Sequence, residues 1–397
     1  MFSRRTPSRY DLNPLARALE KARQMPGDIL DLTVSNPQRA GIIPPENLVL
    51  APLQHGGAIH YEPDPHGLPL ARSAVSTHLA RRGIRSDPEK LFLTASTSEA
   101  YGFLLKLLCD PGDAVLAPEP SYPLLDHLLD LESVRRVPYR IAYENGWKLD
   151  LDSIGKVLAD SSQPRIRAIV IVSPNNPTGN YLKRNELDHL AELALRHELA
   201  LVSDEVFFDY RLGDPAPGSI SLASGSSVPA FTLGGLSKTL GLPQMKLAWI
   251  IVNGPKAWLP GCLERLELIA DTYLSVGTPV QLAAGTWLEA EAIFQKPIHE
   301  RVRGNWEMLQ HVFSGAPGQA ELLPAEGGWY AMLRVPRYED DGTMAVSLLE
   351  HERVLVQPGY FYDCHAGAHF VVSLLTEPGV LKQGTGRLID GLRRIGG

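Results

Sequence analysis

A lysine at position 238 lies where a charged side chain is unusual. It follows the apolar stretch 231–236, which contains the glycine pair at 234 and 235. A second strand is predicted from 246 to 252. Most lysines lie on solvated faces, and Lys238 taken alone fits that explanation, but an ammonium group between two buried strands is costly. Condensation with an aldehyde removes the charge, because the ε-amine becomes an imine.

Three more stretches place polar residues at predicted strand ends. At 93–100 a strand runs into a helix through small hydroxyl residues, which suit a phosphate but are also the commonest helix caps. At 172–179 the prolines fix φ and direct the amide of Asn176 back toward the strand end, although a generic turn is the alternative. At 200–207 Asp204 ends an apolar strand, either as a turn cap or as a buried carboxylate that pairs with a cation.

The four features together suit pyridoxal phosphate. A buried lysine is the usual attachment point of this phosphate-bearing aldehyde. The cation beside Asp204 is then the ring nitrogen of the cofactor. A carboxylate there keeps the ring protonated, so that the ring accepts the electrons released when a bond at the substrate Cα breaks.

Composition excludes several other classes of protein. The chain has 397 residues, 44% hydrophobic and 21% charged, with a net charge of −7, which argues against a nucleic-acid partner. Cys109, Cys262 and Cys364 show no spacing typical of a disulfide framework or a zinc site, so no metal is expected. No membrane-length apolar run is present, and none follows the arginines near the N-terminus. A reducing, cytoplasmic setting without membrane contact is predicted.

The elements that must position these residues alternate along the chain. Helices are predicted at 13–24, 68–83, 98–109, 122–131, 152–160, 184–197, 254–273, 279–294 and 378–395, and strands at 30–34, 91–95, 114–117, 134–139, 167–173, 199–203, 330–335, 354–358 and 370–375. Alternation of this kind predicts an α/β fold whose mostly parallel sheet carries helices on both faces and binds its ligand at the carboxyl ends of the strands. The tail from about residue 296 has a mixed pattern, which predicts a smaller α+β domain.

The four motifs, in this order and spacing, resemble fold-type I pyridoxal-phosphate enzymes of the class I/II aminotransferase family over nearly the whole chain. The resemblance implies a large cofactor domain at 46–280 and a small domain formed by 281–397 with the N-terminal segment 1–45. It also implies that Lys238 is the Schiff-base lysine, that Asp204 is the partner of the pyridinium nitrogen, and that Asn176 donates to the ring hydroxyl.

The resemblance implies further cofactor contacts. Thr97 and Ser98 match the phosphate cradle, Tyr122 matches the aromatic residue that stacks on the ring, and Ser237 is included among the cofactor-binding residues. Tyr61 resembles the tyrosine that reaches the phosphate of the neighbouring subunit, which implies a homodimer with shared active sites. Without the family, an aromatic residue packed at a strand end would be the preferred interpretation of both tyrosines.

Three positions near the cofactor depart from the family pattern. Lys246 replaces an arginine at the phosphate and supplies charge without the two-pronged contact. Gly235 replaces a frequent serine, so one hydroxyl is lost. Phe207 replaces a tyrosine that donates to the ring oxygen, and we hypothesise that the lysine–cofactor imine therefore stays protonated to higher pH. An unusually low imine pKa in a spectral titration of the holoenzyme would contradict this hypothesis.

A fourth departure concerns the substrate. Val371 occupies the position of the arginine that holds the substrate carboxylate in the family, and the neighbours Phe370 and Val372 are uncharged too. Either the substrate lacks an α-carboxylate, as an amine or an aldehyde does, or other groups hold it. The candidates to line that pocket, besides Val371 itself, are Ser35, Asn36, Asn176 and Trp329.

The resemblance implies transfer of an amino group from an amino acid or amine to an oxo acceptor. The freed Lys238 would move the Cα proton, and two half-reactions would give ping-pong kinetics. A lyase, decarboxylase or cyclase on the same fold is the second hypothesis, because the fold alone does not choose the reaction. A non-catalytic cofactor-binding relative is the third, and the retained Lys238, Asp204 and Asn176 argue against it.

Overall fold

The computed structural model describes residues 2–6, 11–214, 217–315 and 318–397. Residues 1 and 7–10 of the predicted N-terminal segment lie outside this part. The helices are α1 Pro14–Gln24, α2 Glu46–Leu50, α3 Pro69–Arg81, α4 Thr97–Leu108, α5 Leu124–Leu131, α6 Leu151–Ala159, α7 Arg184–His197, α8 Leu236–Thr239, α9 Leu259–Tyr273, α10 Thr278–Glu289, α11 Glu291–Ser314, α12 Asp341–Ser347 and α13 Pro378–Gly396. The strands are β1 Leu30–Asp31, β2 Leu91–Thr94, β3 Ala114–Glu119, β4 Arg135–Tyr143, β5 Trp147–Leu149, β6 Ile166–Val172, β7 Ala200–Asp204, β8 Ala230–Gly235, β9 Ala248–Asn253, β10 Glu321–Leu322, β11 Tyr330–Val335, β12 Val354–Leu355, β13 Gln357–Pro358 and β14 Ala368–Ser373.

The main sheet of the described chain has eight strands in the order β2-β9-β8-β7-β6-β3-β4-β5. Its centre, from β8 to β4, is parallel, and β9 and β5 run antiparallel to their neighbours at the two sides. The central strands are continuous apolar runs because both of their faces are buried. Helices α4 and α9 contribute to the apolar core on one face, and α6 and α7 to the core on the other. The predicted sheet, mostly parallel and covered on both faces, is confirmed.

The register of the parallel strands brings the predicted site residues to one edge. Val172 at the end of β6 pairs with Asp204 at the end of β7, and Asp204 pairs with Leu233 on β8. Two residues later β8 ends at Gly235, and Lys238 follows in α8. Since the carboxyl ends of parallel strands share an edge, residues far apart in sequence meet there.

A smaller sheet lies in the C-terminal part, in the order β10-β11-β14-β13, and β1 pairs with β12. Its core joins α1 and Leu32 from the N-terminal segment with the buried faces of α11 and α13. The N-terminal segment therefore packs with the C-terminal part of the chain.

The helix predicted at 279–294 corresponds to α10 and the start of α11. The mixed pattern predicted from about residue 296 is wrong up to residue 314, because α11 continues to Ser314. Its buried positions Phe294, Ile298, Val302, Trp306, Leu309 and Phe313 follow helical spacing. Pro297 and Gly304 interrupt that pattern in the sequence and hide it. The strand predicted at 30–34 is also shorter than expected, since β1 has two residues.

The predicted domain boundary at residue 280 falls inside α10. This helix packs on α3, and its Trp287 belongs to the same core as Leu91 and Trp249 of the main sheet. We propose that the boundary lies within α11, whose N-terminal Phe294 belongs to that core and whose later residues belong to the small one.

Among the described residues, none of the helices combines the length and the apolarity needed to cross a membrane. The same part of the chain holds no group of three or more His, Cys, Asp or Glu side chains placed to bind a metal ion.

Candidate active site

A cavity of about 330 Å³ opens at the carboxyl ends of β6, β7 and β8, beside the start of α4. It brings together ten of the predicted site residues, namely Ser35, Thr97, Ser98, Tyr122, Asn176, Asp204, Phe207, Ser237, Lys238 and Lys246. They come from segments scattered between residues 35 and 246, so the fold alone makes them neighbours. The remaining predicted residues, Asn36, Tyr61, Trp329 and Val371, do not line it.

Lys238 lies on α8, directly after the glycine pair that ends β8. Its Nζ lies 5.5 Å from the ring centroid of Phe207 and 5.2 Å from that of Trp329. Burial lowers the pKa of the Lys238 ammonium, and the negative charge of Asp204 opposes the shift only in part. A lowered pKa increases the fraction of neutral amine, the form that attacks a carbonyl carbon.

The glycines before Lys238 allow β8 and β9 to pack closely. A Cβ on Gly234 would lie 2.5 Å from Nε1 of Trp249, and one on Gly235 would lie 2.9 Å from Cβ of Ala248. A side chain at either position would therefore displace β9. This packing accounts for Gly235 in place of the serine expected from the family pattern.

Asp204 ends β7 inside the cavity. Burial raises the pKa of its carboxyl to about 6, whereas hydrogen bonds from the Val206 N–H and the Tyr101 hydroxyl, and the charge of Lys238, favour the ionised form. The Val206 N–H lies 3.2 Å from Oδ1. The carboxylate is thus held in a fixed orientation, and its charge lacks full compensation within the protein.

Tyr101 is a site residue that the sequence analysis missed. It lies on α4, lines the cavity, and hydrogen-bonds to Asp204; burial is the main reason that its pKa is raised well above 10. It follows Thr97 by four residues, so both lie on the same face of the helix. That spacing was the available signal, since a tyrosine on the cavity face of the phosphate-cradle helix suggests a polar partner below it.

The start of α4 forms an anion cradle. Ser96 caps the helix by accepting the Glu99 N–H at 3.1 Å, and the Glu99 carboxylate accepts the Ala95 N–H at 2.6 Å. The N–H groups of Thr97 and Ser98 belong to the first helical turn, whose donors have no partner within a helix. Lys246 faces the same cavity from the segment between α8 and β9 and adds a positive charge.

Asn176 lies in a turn that its neighbours stabilise. Nδ2 of Asn175 donates to the Pro120 carbonyl at 3.1 Å and to Thr178 Oγ1 at 2.7 Å, so the first asparagine of the pair is occupied. The amide of Asn176 lines the cavity, and its buried Oδ1 has no hydrogen-bond partner among the described residues. A ligand in the cavity would supply that partner.

Two predicted substrate residues are engaged elsewhere. The Asn36 side chain accepts the N–H groups of Gln38 at 2.9 Å and Arg39 at 3.3 Å, so it caps its own turn. Val371 is fully buried on β14, where it pairs with Met332 and Gln357. Neither side chain lines the cavity, because local hydrogen bonding and sheet packing place them behind its wall.

The other two also lie outside the cavity lining. Trp329 is fully buried behind Phe207, with the ring centroids 5.2 Å apart, and it reaches Lys238 without lining the cavity. Tyr61 is 74% exposed, so its own chain covers little of its side chain. The sequence analysis also missed the apolar wall that completes the cavity, formed by Leu124, Leu125, Leu128, Val206 and Tyr330.

The sequence from residue 27 to 382 matches the model of the aminotransferase class I and II family. The chain belongs to this family. It is 28% identical over 378 residues to the glutamate-pyruvate aminotransferase AlaA of Escherichia coli K12, covering 92% of this chain and 91% of that one. It is 30% identical over 363 residues to an alanine aminotransferase of Mycobacterium tuberculosis H37Rv, covering 88% of this chain and 82% of that one.

Solved structures agree with this assignment. The alanine aminotransferase from Pyrococcus furiosus superposes with a TM-score of 0.84 at 26% identity, over 96% of this chain and 95% of that one. An Escherichia coli aminotransferase gives 0.81 at 27% identity, with coverage of 96% and 95%. The predicted family, fold type, enzyme class and dependence on pyridoxal phosphate are confirmed.

The residues of this class I/II member fit the cofactor. Asp204 offers a buried, undercompensated negative charge for a ring nitrogen, the Asn176 amide lines the cavity, where its N–H group can donate to a ring oxygen, and the α4 start with Lys246 offers an anion site. Lys238 offers a desolvated amine for the aldehyde. The charges and hydrogen-bonding groups of the cavity lining therefore suit the ring nitrogen, the ring oxygen, the phosphate and the aldehyde of the cofactor.

Replacing Tyr101 by phenylalanine is expected to raise the pKa of Asp204 further, because the ionised carboxylate loses a hydrogen-bond donor. Hydrogen bonds to charged groups contribute about 1.5–3 kcal/mol, so a shift of about one to two pKa units is expected. The acid limb of the pH–activity profile should move upward by that amount. A uniform loss of activity at all pH values would assign Tyr101 a purely structural role.

Lys246→Ala is expected to weaken cofactor retention about 10- to 100-fold, since the phosphate loses one of two sources of positive potential. Lys246→Arg should retain the cofactor at least as well as the wild type, because the guanidinium restores a bidentate contact. Retention is measured by visible absorption after dialysis, with the exposed Lys256→Ala as control. Equal retention by the Ala and Arg variants would remove Lys246 from the phosphate site.

Proposed function

We propose that this chain moves an amino group from a donor to an oxo acceptor in the cavity, with Lys238 as the residue that binds the cofactor and transfers the proton. The observation that carries the proposal is the pairing of a desolvated amine, Lys238, with a buried carboxylate, Asp204, in one cavity. When bound, pyridoxal phosphate supplies an aldehyde that condenses with amines and a pyridinium ring that accepts the electron pair released at the substrate Cα.

The chain's own residues divide the remaining work. Nζ of Lys238, once displaced by the incoming amine, would take the proton from the substrate Cα and deliver it to the former aldehyde carbon of the cofactor. The rings of Phe207 and Trp329 exclude water around Nζ, which keeps its pKa low enough for that task. Asp204 holds the ring nitrogen protonated, and Tyr101 holds Asp204 in place.

Other lining residues orient the cofactor. The N–H groups at the start of α4, together with Ser237 and Lys246, hold the phosphate, and Asn176 holds the ring oxygen. Tyr122 stands at the cavity wall as the proposed stacking partner of the ring. Such positioning would be the protein's contribution to selecting transamination among the reactions of the cofactor.

The experiment uses purified holoenzyme and a panel of amino acids and amines. A productive donor should bleach the visible absorption of the bound cofactor and release one oxo product per subunit, detected by mass spectrometry. An oxo acceptor added afterwards should restore the absorption and yield its amine. Release of a decarboxylated or eliminated product would favour the lyase hypothesis, and the absence of any spectral response across the panel would favour a binding protein.

We also propose a homodimer whose sites share Tyr61. The support is the exposure of Tyr61, together with exposed apolar side chains on the same protomer that include Ile59, Leu268 and Leu274. Mixing Lys238→Ala subunits with Tyr61→Ala subunits should restore activity, because half of the sites in mixed dimers would then carry neither change. No restoration after verified subunit exchange would show that the sites are not shared.

We place the protein in a reducing cytoplasm, which suits its three free cysteines.

A further inference from the structure

The described lining of the cavity contains two basic side chains, Lys238 and Lys246. Lys238 would form the imine with the cofactor aldehyde. Lys246 lies beside the start of α4, where the phosphate would bind. The acidic member of the lining, Asp204, is the partner of the ring nitrogen. Once the cofactor is bound, these charges are matched, and the described part of the wall offers no further cation to a substrate.

The wall opposite the main sheet is neutral as well. Tyr330 lines the cavity from β11, and its partner on β14 is Ser373. Side chains two residues apart on a strand share a face, so Met332 and Val371, which pair with each other, continue the face of Tyr330 and Ser373. Gln357 on β13 pairs with Val371 on the other side. Over these two pairs an uncharged, closely packed surface backs the substrate end of the cavity. The next pair on the same face is Arg334 and His369, and the half-exposed Arg334 forms an ion pair with Glu321.

Hydroxyl groups at this end have partners within the protein. Ser35 hydrogen-bonds to the Tyr330 hydroxyl, Tyr362 donates to Oε1 of Gln357, and Ser373 donates to the Val34 carbonyl. A substrate carboxylate would have to break the bonds of Tyr362 and Ser373 to gain their protons, and the Ser35–Tyr330 pair leaves it a single hydroxyl donor, which is neutral.

The guanidinium of Arg301, on α11, has one of its nitrogens engaged by the protein backbone near this region. Nη1 of Arg301 donates to the carbonyls of Ala40 and Leu375, both at 2.9 Å, and the side chain does not line the cavity. It braces the segments that follow Ser35 and Ser373, which explains its position without a substrate.

The geometry points to a donor without a carboxylate on its reacting carbon: we infer that the cavity takes a primary amine with an apolar body, and an aldehyde or ketone as acceptor. This inference rests on the proposed transaminase function. The apolar wall of Leu124, Leu125 and Leu128 suits such a body, whereas an ionised carboxylate buried there without a cation is strongly disfavoured. In the reaction the donor loses its C–N bond and one Cα–H bond and becomes a carbonyl compound. The amino group and two electrons pass to the acceptor, and water supplies the new carbonyl oxygen in one half-reaction and is released in the other.

Matched substrates test the inference by reaction. 2-Phenylethylamine and L-phenylalanine differ only in the carboxylate, as do phenylacetaldehyde and phenylpyruvate. The second-order rate constant of the spectral change should be at least about tenfold larger for the amine than for the amino acid, and for the aldehyde than for the oxo acid. A preference for the amino acid and the oxo acid would overturn the inference and leave the transaminase intact. If no member of the pairs or of the donor panel reacted, the proposed function itself would fail.

Binding gives a readout that does not depend on turnover. Calorimetric titration of holoenzyme with 3-phenylpropionate and with 3-phenylpropanamide should show the neutral amide binding at least about tenfold more tightly. Tighter binding of the carboxylate would overturn the inference. This comparison uses the wild-type protein, so it does not depend on any variant folding.

A variant then locates the determinant. Val371→Arg places a guanidinium on the sheet face that Tyr330 shares with the cavity, and it should strengthen 3-phenylpropionate binding relative to the amide about tenfold or more. Val371→Leu changes the volume without charge and should leave the ratio unchanged. An unchanged ratio in a folded Val371→Arg protein would show that this face does not reach the substrate, and the inferred neutral wall would be wrong.

Discussion

Lys238→Ala is expected to abolish transamination, with a loss of at least about 10⁴-fold in kcat/KM, because one side chain provides both the covalent attachment of the cofactor and the proton transfer at Cα. The aromatic rings about 5 Å from Nζ leave the amine desolvated and near the cofactor pocket, and no other described lining lysine has that position. Lys246 faces the phosphate end and does not replace it.

The variant should still bind the cofactor, since the α4 start, Asn176 and Asp204 remain. Its visible absorption should change to that of the free aldehyde, and borohydride should no longer fix the cofactor to the chain. The control Lys256→Ala removes an exposed lysine and should behave as the wild type. Covalent attachment of the cofactor to the Lys238→Ala chain would refute the role of this residue.

Site residues at the ends of strands were easier to predict from the sequence than site residues inside helices or behind the cavity lining. Asn176, Asp204 and Lys238 terminate or follow apolar strands, and the periodicity of a parallel sheet predicts that such ends converge. Tyr101 was missed because its position inside α4 resembles an ordinary buried aromatic residue. The four-residue spacing from Thr97 places Tyr101 on the cavity face, but it does not identify Asp204 on β7 as the hydrogen-bond partner.

The substrate end was harder to predict, because its wall comes from sheet register. Val371 stands at the sequence position where the family has its carboxylate-binding arginine, but its side chain lies behind the cavity lining. Tyr330 and the leucines of α5 form the surface instead. Asn36 was assigned to the pocket from its position in sequence, but Asx capping of its own turn competes for the same side chain. The length of α11 was hidden by Pro297, since a proline inside a helix is usually a boundary signal.

Asp204→Asn is expected to have opposite effects on the cofactor-free and the cofactor-bound protein. In the cofactor-free protein burial raises the pKa of Asp204 to about 6 from an ordinary value of 3.8. Between these two pH values the folded chain retains a proton that the unfolded chain has lost. The free energy of unfolding therefore falls as the pH rises from about 4 to about 6, by roughly 3 kcal/mol for this group, and stays lower above pH 6.

The asparagine variant never has to bury that charge, and its Oδ1 can still accept from the Val206 N–H and the Tyr101 hydroxyl. The cofactor-free variant should accordingly be more stable than the cofactor-free wild type at pH 7, by up to roughly 3 kcal/mol, with the difference vanishing below about pH 4. Urea unfolding between pH 4 and 8 measures it. Identical pH profiles for the two proteins would show that Asp204 is not a desolvated acid.

With the cofactor bound, the order reverses, because the ring nitrogen loses the carboxylate that keeps it protonated. Removing one partner of a buried charge pair costs about 3–5 kcal/mol, so activity at pH 7 should fall about 10²- to 10⁴-fold and the cofactor should stabilise the variant less than the wild type. Glu205→Gln is the matched control: burial raises the pKa of Glu205 to about 7, but its side chain bonds to Ser203, Ser221 and the Leu222 N–H and does not line the cavity. The Glu205→Gln change should alter how stability depends on pH and leave stabilisation by the cofactor unchanged. If the cofactor stabilised the Asp204→Asn protein as strongly as the wild type, Asp204 would not contact the ring.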